Sequence, residues 1–221
     1  MLAVHAETDR LDQNALDLIG KIAAATDEEV RRHLPDLAER IVLRVWDGDD
    51  VIPETGEMGI SIAAGEIAWI INADDARGTT AIARAQLRPT LFHELHHQVR
   101  GWTQHRSAVG DGLLDAVVSE GLATAFERDA ASSTPLWGDY PAEVVDWYEE
   151  VRALPDDADF MQWMIVHDDG RRWIGYRAGT YIVDRAINTS GMSAAQLATT
   201  PTTDILQLAD APQRHSQPAH H

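Results

Sequence analysis

Two histidines four residues apart, His93 and His97, bracket Glu94 in the run His93-Glu94-Leu95-His96-His97. On a helix, positions four apart share one face, so both imidazoles can hold one metal ion. Glu94 then falls to one side, near the ion without competing for it. The chemistry open to such a set is hydrolysis. The ion polarises a carbonyl and acidifies a water, and the carboxylate takes the water's proton and passes it to a leaving amine. Surface histidines on an amphipathic helix would spell the same five letters, so the surroundings must discriminate. At roughly 100° per residue, Leu91, Phe92, Leu95 and Val99 gather on one side of the helix and His93 and His97 point to nearly the opposite side. Such a helix can pack its apolar face and turn both imidazoles towards a cleft.

A catalytic zinc usually has three protein ligands and one open position. With no cysteine in the chain, the third must be His, Asp or Glu. The long His-rich pattern of the metzincins needs glycine at 100 and histidine at 103, where this chain has Arg100 and Thr103, with Gly101 and His105 displaced. Gly179-Thr180 with Asp184 fits the aspartate-liganded zincins no better, the aspartate standing one place late. Glu120 remains, within Val117-Val118-Ser119-Glu120-Gly121-Leu122-Ala123 on a helix that is apolar over most of its circumference. It stacks with Leu113, Val117 and Thr124, and a carboxylate there is costly to desolvate unless paired or bound to a cation. The competing reading is a solvated edge glutamate, as Glu127 further along is taken to be. One zinc ion per chain, held by His93, His97 and Glu120 with Glu94 as general base, is the expectation.

A helix with this motif followed by a second helix carrying a glutamate ligand resembles the gluzincin arrangement, to which thermolysin-like peptidases belong. More narrowly, three motifs in order resemble an uncharacterised bacterial family of predicted zinc-dependent proteases. They are His93-Glu94-Leu95-His96-His97-Gln98-Val99-Arg100, Ser119-Glu120-Gly121-Leu122-Ala123 and Gly175-Tyr176-Arg177-Ala178-Gly179, and the likeness covers about residues 40 to 210. The resemblance implies a zincin-like core, a zinc ion and a peptide or protein substrate. For the oxyanion of the tetrahedral intermediate, Tyr176 is the first choice of donor and Arg177 the second. Asp115 could orient a zinc-bound histidine, although a plain helix-face aspartate is the simpler reading. His96 has no assigned role. Trp102, Trp137, Trp147, Trp163 and Trp173 read as packing residues. Two other readings stand beside the peptidase: a zincin-fold binding module without turnover, which the intact motif argues against, and a hydrolase of a non-peptide bond.

The elements that must position these groups follow from periodicity. Residues 1 to 40 read as a helical lead-in, with Leu11, Ala15, Leu16, Ile19 and Ile22 at three-to-four spacing and Thr26-Asp27-Glu28-Glu29 resembling a capped helix start. Ile41 to Trp46 is short and β-branched and ends in Asp47-Gly48-Asp49-Asp50, a strand and its turn. Ile60 to Ala63 and Glu66 to Ile71 flank Ala64-Gly65 as a hairpin; the resemblance to zincin peptidases, rather than these residues, implies that Trp69 and Ile71 lie on a strand bordering the cleft, where an extended peptide could add. Helical periodicity returns through Ile82, Leu87, Leu91, Leu95 and Val99, with Pro89 breaking or restarting it and Gly101 ending it. Further helices fit 113–128, 142–153, 176–187 and 193–197. The result is an α+β fold: a small, mostly antiparallel sheet over 41–72, then a mainly helical zincin-like core over 77–210. One domain spans 1–210, and 211–221 is a flexible polar tail.

Thirty-six acidic against eighteen basic residues give a formal charge of -18. That field repels phosphate backbones and anionic membrane surfaces, so nucleic acid and membrane are not expected partners. The start of the chain lacks an export signal and no apolar run approaches membrane-spanning length, which leads to the expectation of a cytoplasmic protein.

Overall fold

The computed structural model describes residues 1–104, 112–155 and 157–212. They group into two compact units, 1–104 with 126–134, and 112–125 with 135–155 and 157–212.

The first unit opens with a strand rather than a helix. β1 (Leu2–Ala6) precedes α1 (Gln13–His33), which Asp12 caps by accepting from the Ala15 amide at 2.8 Å. Five residues carry too little alternation to declare a strand. β1 exists because it pairs with β2 (Ile41–Asp47), Leu2 opposite Ile41, a contact far away in sequence. The supposed helix start at Thr26 is interior to α1. The Thr26 hydroxyl donates to the Ile22 carbonyl one turn back and Asp27 accepts from Arg31, so both side chains are satisfied within the helix. β3 (Glu57–Ala63) and β4 (Glu66–Ile71) form the expected hairpin through Gly65 at φ +80°.

Among the described residues the sheet has the order β1-β2-β4-β3. It is mixed, which corrects the expectation of a mostly antiparallel sheet. β1, β2 and β4 are mutually parallel, and β3 alone runs against its neighbour. The long helical connection through α1 returns the chain in the same direction, as parallel pairing requires, whereas the 48–56 loop reverses it into β3 and the tight turn at Gly65 reverses it again into β4. β4 is an inner strand, with Trp69 and Ile71 fully buried, and the edge strand beside it is β3, β1 forming the opposite edge. On β2, Ile41, Leu43 and Val45 face the core, while half-exposed Arg44 bridges Glu7 and Glu66.

After the sheet, α2 (Thr79–Ile82) runs through a π turn at Ala83–Leu87 into α3 (Arg88–Arg100). Pro89 does not break the helix. It lacks an N–H and crowds the carbonyl four residues earlier, and the widened turn immediately before it absorbs both defects. Gly101, at φ +72°, ends α3 in the left-handed conformation that glycine adopts without strain. α3 packs on α1 and β3. Phe126, from the later segment of this unit, lies against Phe92 and His96 at ring-centroid distances of 5.5 and 5.4 Å.

The second unit is helical. α4 (Leu113–Ala130) contributes its first four turns; α5 (Val144–Arg152), α6 (Phe160–Met164) and α8 (Thr202–Asp210) all pack on α7 (Ile174–Ser190). The helix expected over 193–197 is a series of turns, and the helix of that region follows Pro201, whose fixed φ suits a helix start. Among the described residues, no helix is long and apolar enough to cross a membrane.

Candidate metal centre

α3 seats itself on the sheet through two matched stripes. Glu57, Gly59 and Ser61, alternate residues of β3, meet Thr90, Glu94 and Gln98, which are four apart along α3. The Thr90 hydroxyl donates to Glu57 at 3.0 Å, and Ser61 donates to the Glu94 carbonyl at 3.1 Å. The Gln98 side-chain oxygen accepts from the Gly65 amide at 2.7 Å, while its amide nitrogen donates to the Ala63 and Glu66 carbonyls. Gly59 is required by close approach. A Cβ there would stand 2.8 Å from Glu94 Cγ and 2.9 Å from its Oε1, so the strand backbone itself is the surface on which the Glu94 carboxylate rests.

This seating leaves Leu91, Phe92 and Leu95 in the core and places His93 and His97 side by side, ring centroids 4.7 Å apart. The sequence expectation put the imidazoles opposite the apolar face. In the structure the whole run from Leu91 to His97 is buried, because the polar side is covered as well. The third residue, Glu120, lies on α4. One ligand atom from each of His93, His97 and Glu120 can be chosen so that all three lie within 4.8 Å of one another, and each residue is buried.

The helix that carries Glu120 also supplies a group that sequence reasoning misplaced. Glu127, seven residues further along α4 and so on nearly the same stripe, is only 6% exposed and is not a solvated edge residue. Its Oε2 lies 3.3 Å from His93 Nδ1, and its Oε1 accepts from the Ser133 hydroxyl at 2.9 Å. A carboxylate on Nδ1 sets the imidazole tautomer and would leave Nε2 as the atom offered to an ion. The heptad spacing from Glu120 was the available signal. Asp115, offered for that role, instead takes a hydrogen bond from Thr202. His96 packs on Phe126, and His105 lies outside the described residues.

Tyr176 stands in the first turn of α7, half-buried, its ring 5.3 Å from that of Trp137. α7 is pressed onto the Glu120 turn of α4 by backbone-to-backbone contact. A Cβ on Gly121 would come within 2.8 Å of Gly179 Cα, and one on Gly179 would strike the Val117 carbonyl. Gly121 and Gly179 therefore let these two helices meet backbone to backbone.

The donor set suits zinc. Two imidazoles and a carboxylate, with no thiolate, are the ligands of a catalytic rather than a closed structural site. Three carboxylates, Glu94, Glu120 and Glu127, are held here at 8% exposure or less, which is costly without a cation among them. Comparison with known proteins agrees. The chain belongs to the family described as "Predicted Zn-dependent protease (DUF2268)", whose model matches residues 21–207. No curated protein and no solved structure matches it significantly.

Proposed function

From that membership and the ligand triangle, we propose that the chain is a zinc-dependent hydrolase that cleaves peptide bonds, with His93, His97 and Glu120 as metal ligands. The observation that carries the reading is the convergence of these three buried side chains within 4.8 Å, with a fourth carboxylate on the Nδ1 of one of them. Zinc supplies, when bound, a Lewis acid that polarises a carbonyl and lets a water lose its proton near neutral pH. Glu94, held against the Gly59 backbone, takes that proton and delivers it to the leaving nitrogen. Glu127 fixes the His93 ring through Nδ1, so that Nε2 would hold the ion. Tyr176, whose helix is pinned to the Glu120 turn, is assigned as the hydrogen-bond donor to the oxyanion. β3 lies beside Glu94 at the sheet edge, and an extended substrate can pair with its outward N–H and C=O groups.

The test is elemental analysis of protein purified without chelator or immobilised metal, joined to cleavage of an unbiased peptide library. About one zinc per chain is expected. Glu94→Gln should keep the zinc and lose cleavage, because it retains size but not the proton-accepting oxygen. Zinc-free protein, or cleavage retained by the Gln variant, overturns the assignment.

A further inference from the structure

The partly buried arginines of this acidic chain are spoken for. Arg31, Arg88 and Arg171 donate to carboxylates, and Arg185 donates to the Ala209 carbonyl. Arg177 is different. Its Nε is sealed from solvent, and among the described residues no acceptor reaches it and no carboxylate pairs with it. Its guanidinium lies 5.8 Å from the Trp173 ring centroid. A guanidinium keeps its charge at all ordinary pH and presents a planar fork suited to carboxylate. With thirty-six acidic residues in the chain, leaving this fork without one is a choice of place rather than a shortage of partners.

The surroundings point the same way. Trp173 holds φ +56°, a left-handed conformation that a bulky residue adopts only at an energetic cost and that recurs at ligand-binding positions. It is braced by Trp137, edge-on at 5.8 Å, and by the Arg172 guanidinium 4.1 Å from its ring centroid. Trp137 in turn meets Tyr176. Two half-buried indoles and a phenol thus form an aromatic floor with a cation at its margin, next in sequence to the residue assigned to the oxyanion.

We propose that Arg177, with Trp173 and Trp137 as its floor, is a subsite for a peptide carboxylate, either the free C-terminus or an acidic side chain. Naming the ligand a peptide rests on the peptidase reading; the carboxylate chemistry does not. Arg177 is then a substrate-binding residue rather than the oxyanion donor.

Calorimetric titration of the purified protein with three probes decides it: N-acetyl-phenylalanine, its C-terminal amide, and N-acetyl-glutamate carrying an α-amide. At least one acid should bind on the order of tenfold tighter than the phenylalanine amide, and which acid does so identifies the source of the carboxylate. Arg177→Gln should erase that preference, and Arg177→Lys should keep only part of it. His97→Ala should retain it, since the carboxylate is not on the metal. Equal binding of acids and amide by the unaltered protein overturns the proposal. So does a preference that survives Arg177→Gln, or one that His97→Ala removes. If Arg177→Gln lowers the melting temperature, Arg177→Lys decides in its place: a reduced preference supports the subsite and an unchanged one refutes it. Zinc content measured on the same sample reports separately on the peptidase reading. Zinc-free protein that prefers acids through Arg177 loses only the enzyme, and zinc-loaded protein without the preference loses only the subsite.

Discussion

Glu57 offers a test of how the sheet and α3 are joined. Its carboxylate is 3% exposed, and its Oε2 accepts from Trp69 Nε1 at 2.7 Å and from the Thr90 hydroxyl at 3.0 Å. Burial pushes its carboxyl up from an ordinary 4.5 to about 7, the hydrogen bonds pull it back, and the nearby charge of Glu94 adds to the push. Between about 4.5 and about 7 the folded protein keeps a proton that the unfolded chain has released. Stability from this group is therefore full at low pH and is lost as pH rises through that window. The difference corresponds to about 3 kcal/mol. Glu57→Gln stays neutral throughout and keeps an oxygen for the same two donors. Relative to the unaltered protein it should gain about 3 kcal/mol between pH 4 and pH 8. Urea unfolding of both proteins at both pH values, without added metal, measures this, and other titrating groups cancel in the comparison. A flat difference refutes the reasoning. A difference of opposite sign would mean that Trp69 and Thr90 hold Glu57 ionised.

Glu120→Ala should lose most zinc affinity and all cleavage, whereas His105→Ala should lose neither; competition with a fluorescent chelator measures both, and the converse result would replace the third ligand. Glu127→Ala should weaken zinc binding by roughly ten- to a hundredfold without abolishing it, because the His93 ring is oriented rather than created by that carboxylate. Gly121→Ala should destabilise the fold by more than about 3 kcal/mol, read by chemical denaturation, since the added methyl meets the Gly179 backbone and not a side chain that can swing aside.

What could be read in the sequence was whatever a single element decides for itself. His93, Glu94 and His97 fall on one helix, and Gly101 ends it; the hairpin at Gly65 is announced by its turn residue. Glu120, which lies in the group with His93 and His97 that could hold an ion, was singled out because a carboxylate on an apolar helix is costly to bury unpaired. Properties that depend on a partner element were not legible. β1 is a strand only because β2 lies beside it, and the sheet is mixed because a helix intervenes between those two strands. β4, which carries Trp69, is an inner strand because β2 pairs with it on one side and β3 on the other. The helix over 202–210 was missed because Thr200-Pro201 marks a start only once the preceding residues are known to be turns.

Glu127 shows the limit most sharply. On its own helix it is one more carboxylate near the C-terminal end, and solvent is the ordinary place for it. Its burial follows from Phe126 beside it, which enters the cluster of Phe92 and His96 and draws that turn of α4 onto α3. Once that contact is made, seven residues of helix carry its register back to Glu120. The apolar side chain thus fixes that turn of α4, and the two carboxylates take their places from it, one on the Nδ1 of His93 and the other in the group with His93 and His97 that could hold an ion. Phe126→Ala should accordingly weaken zinc binding as well as stability, although the ring is no ligand. Unchanged zinc affinity in that variant would show that α4 is positioned by something other than this contact.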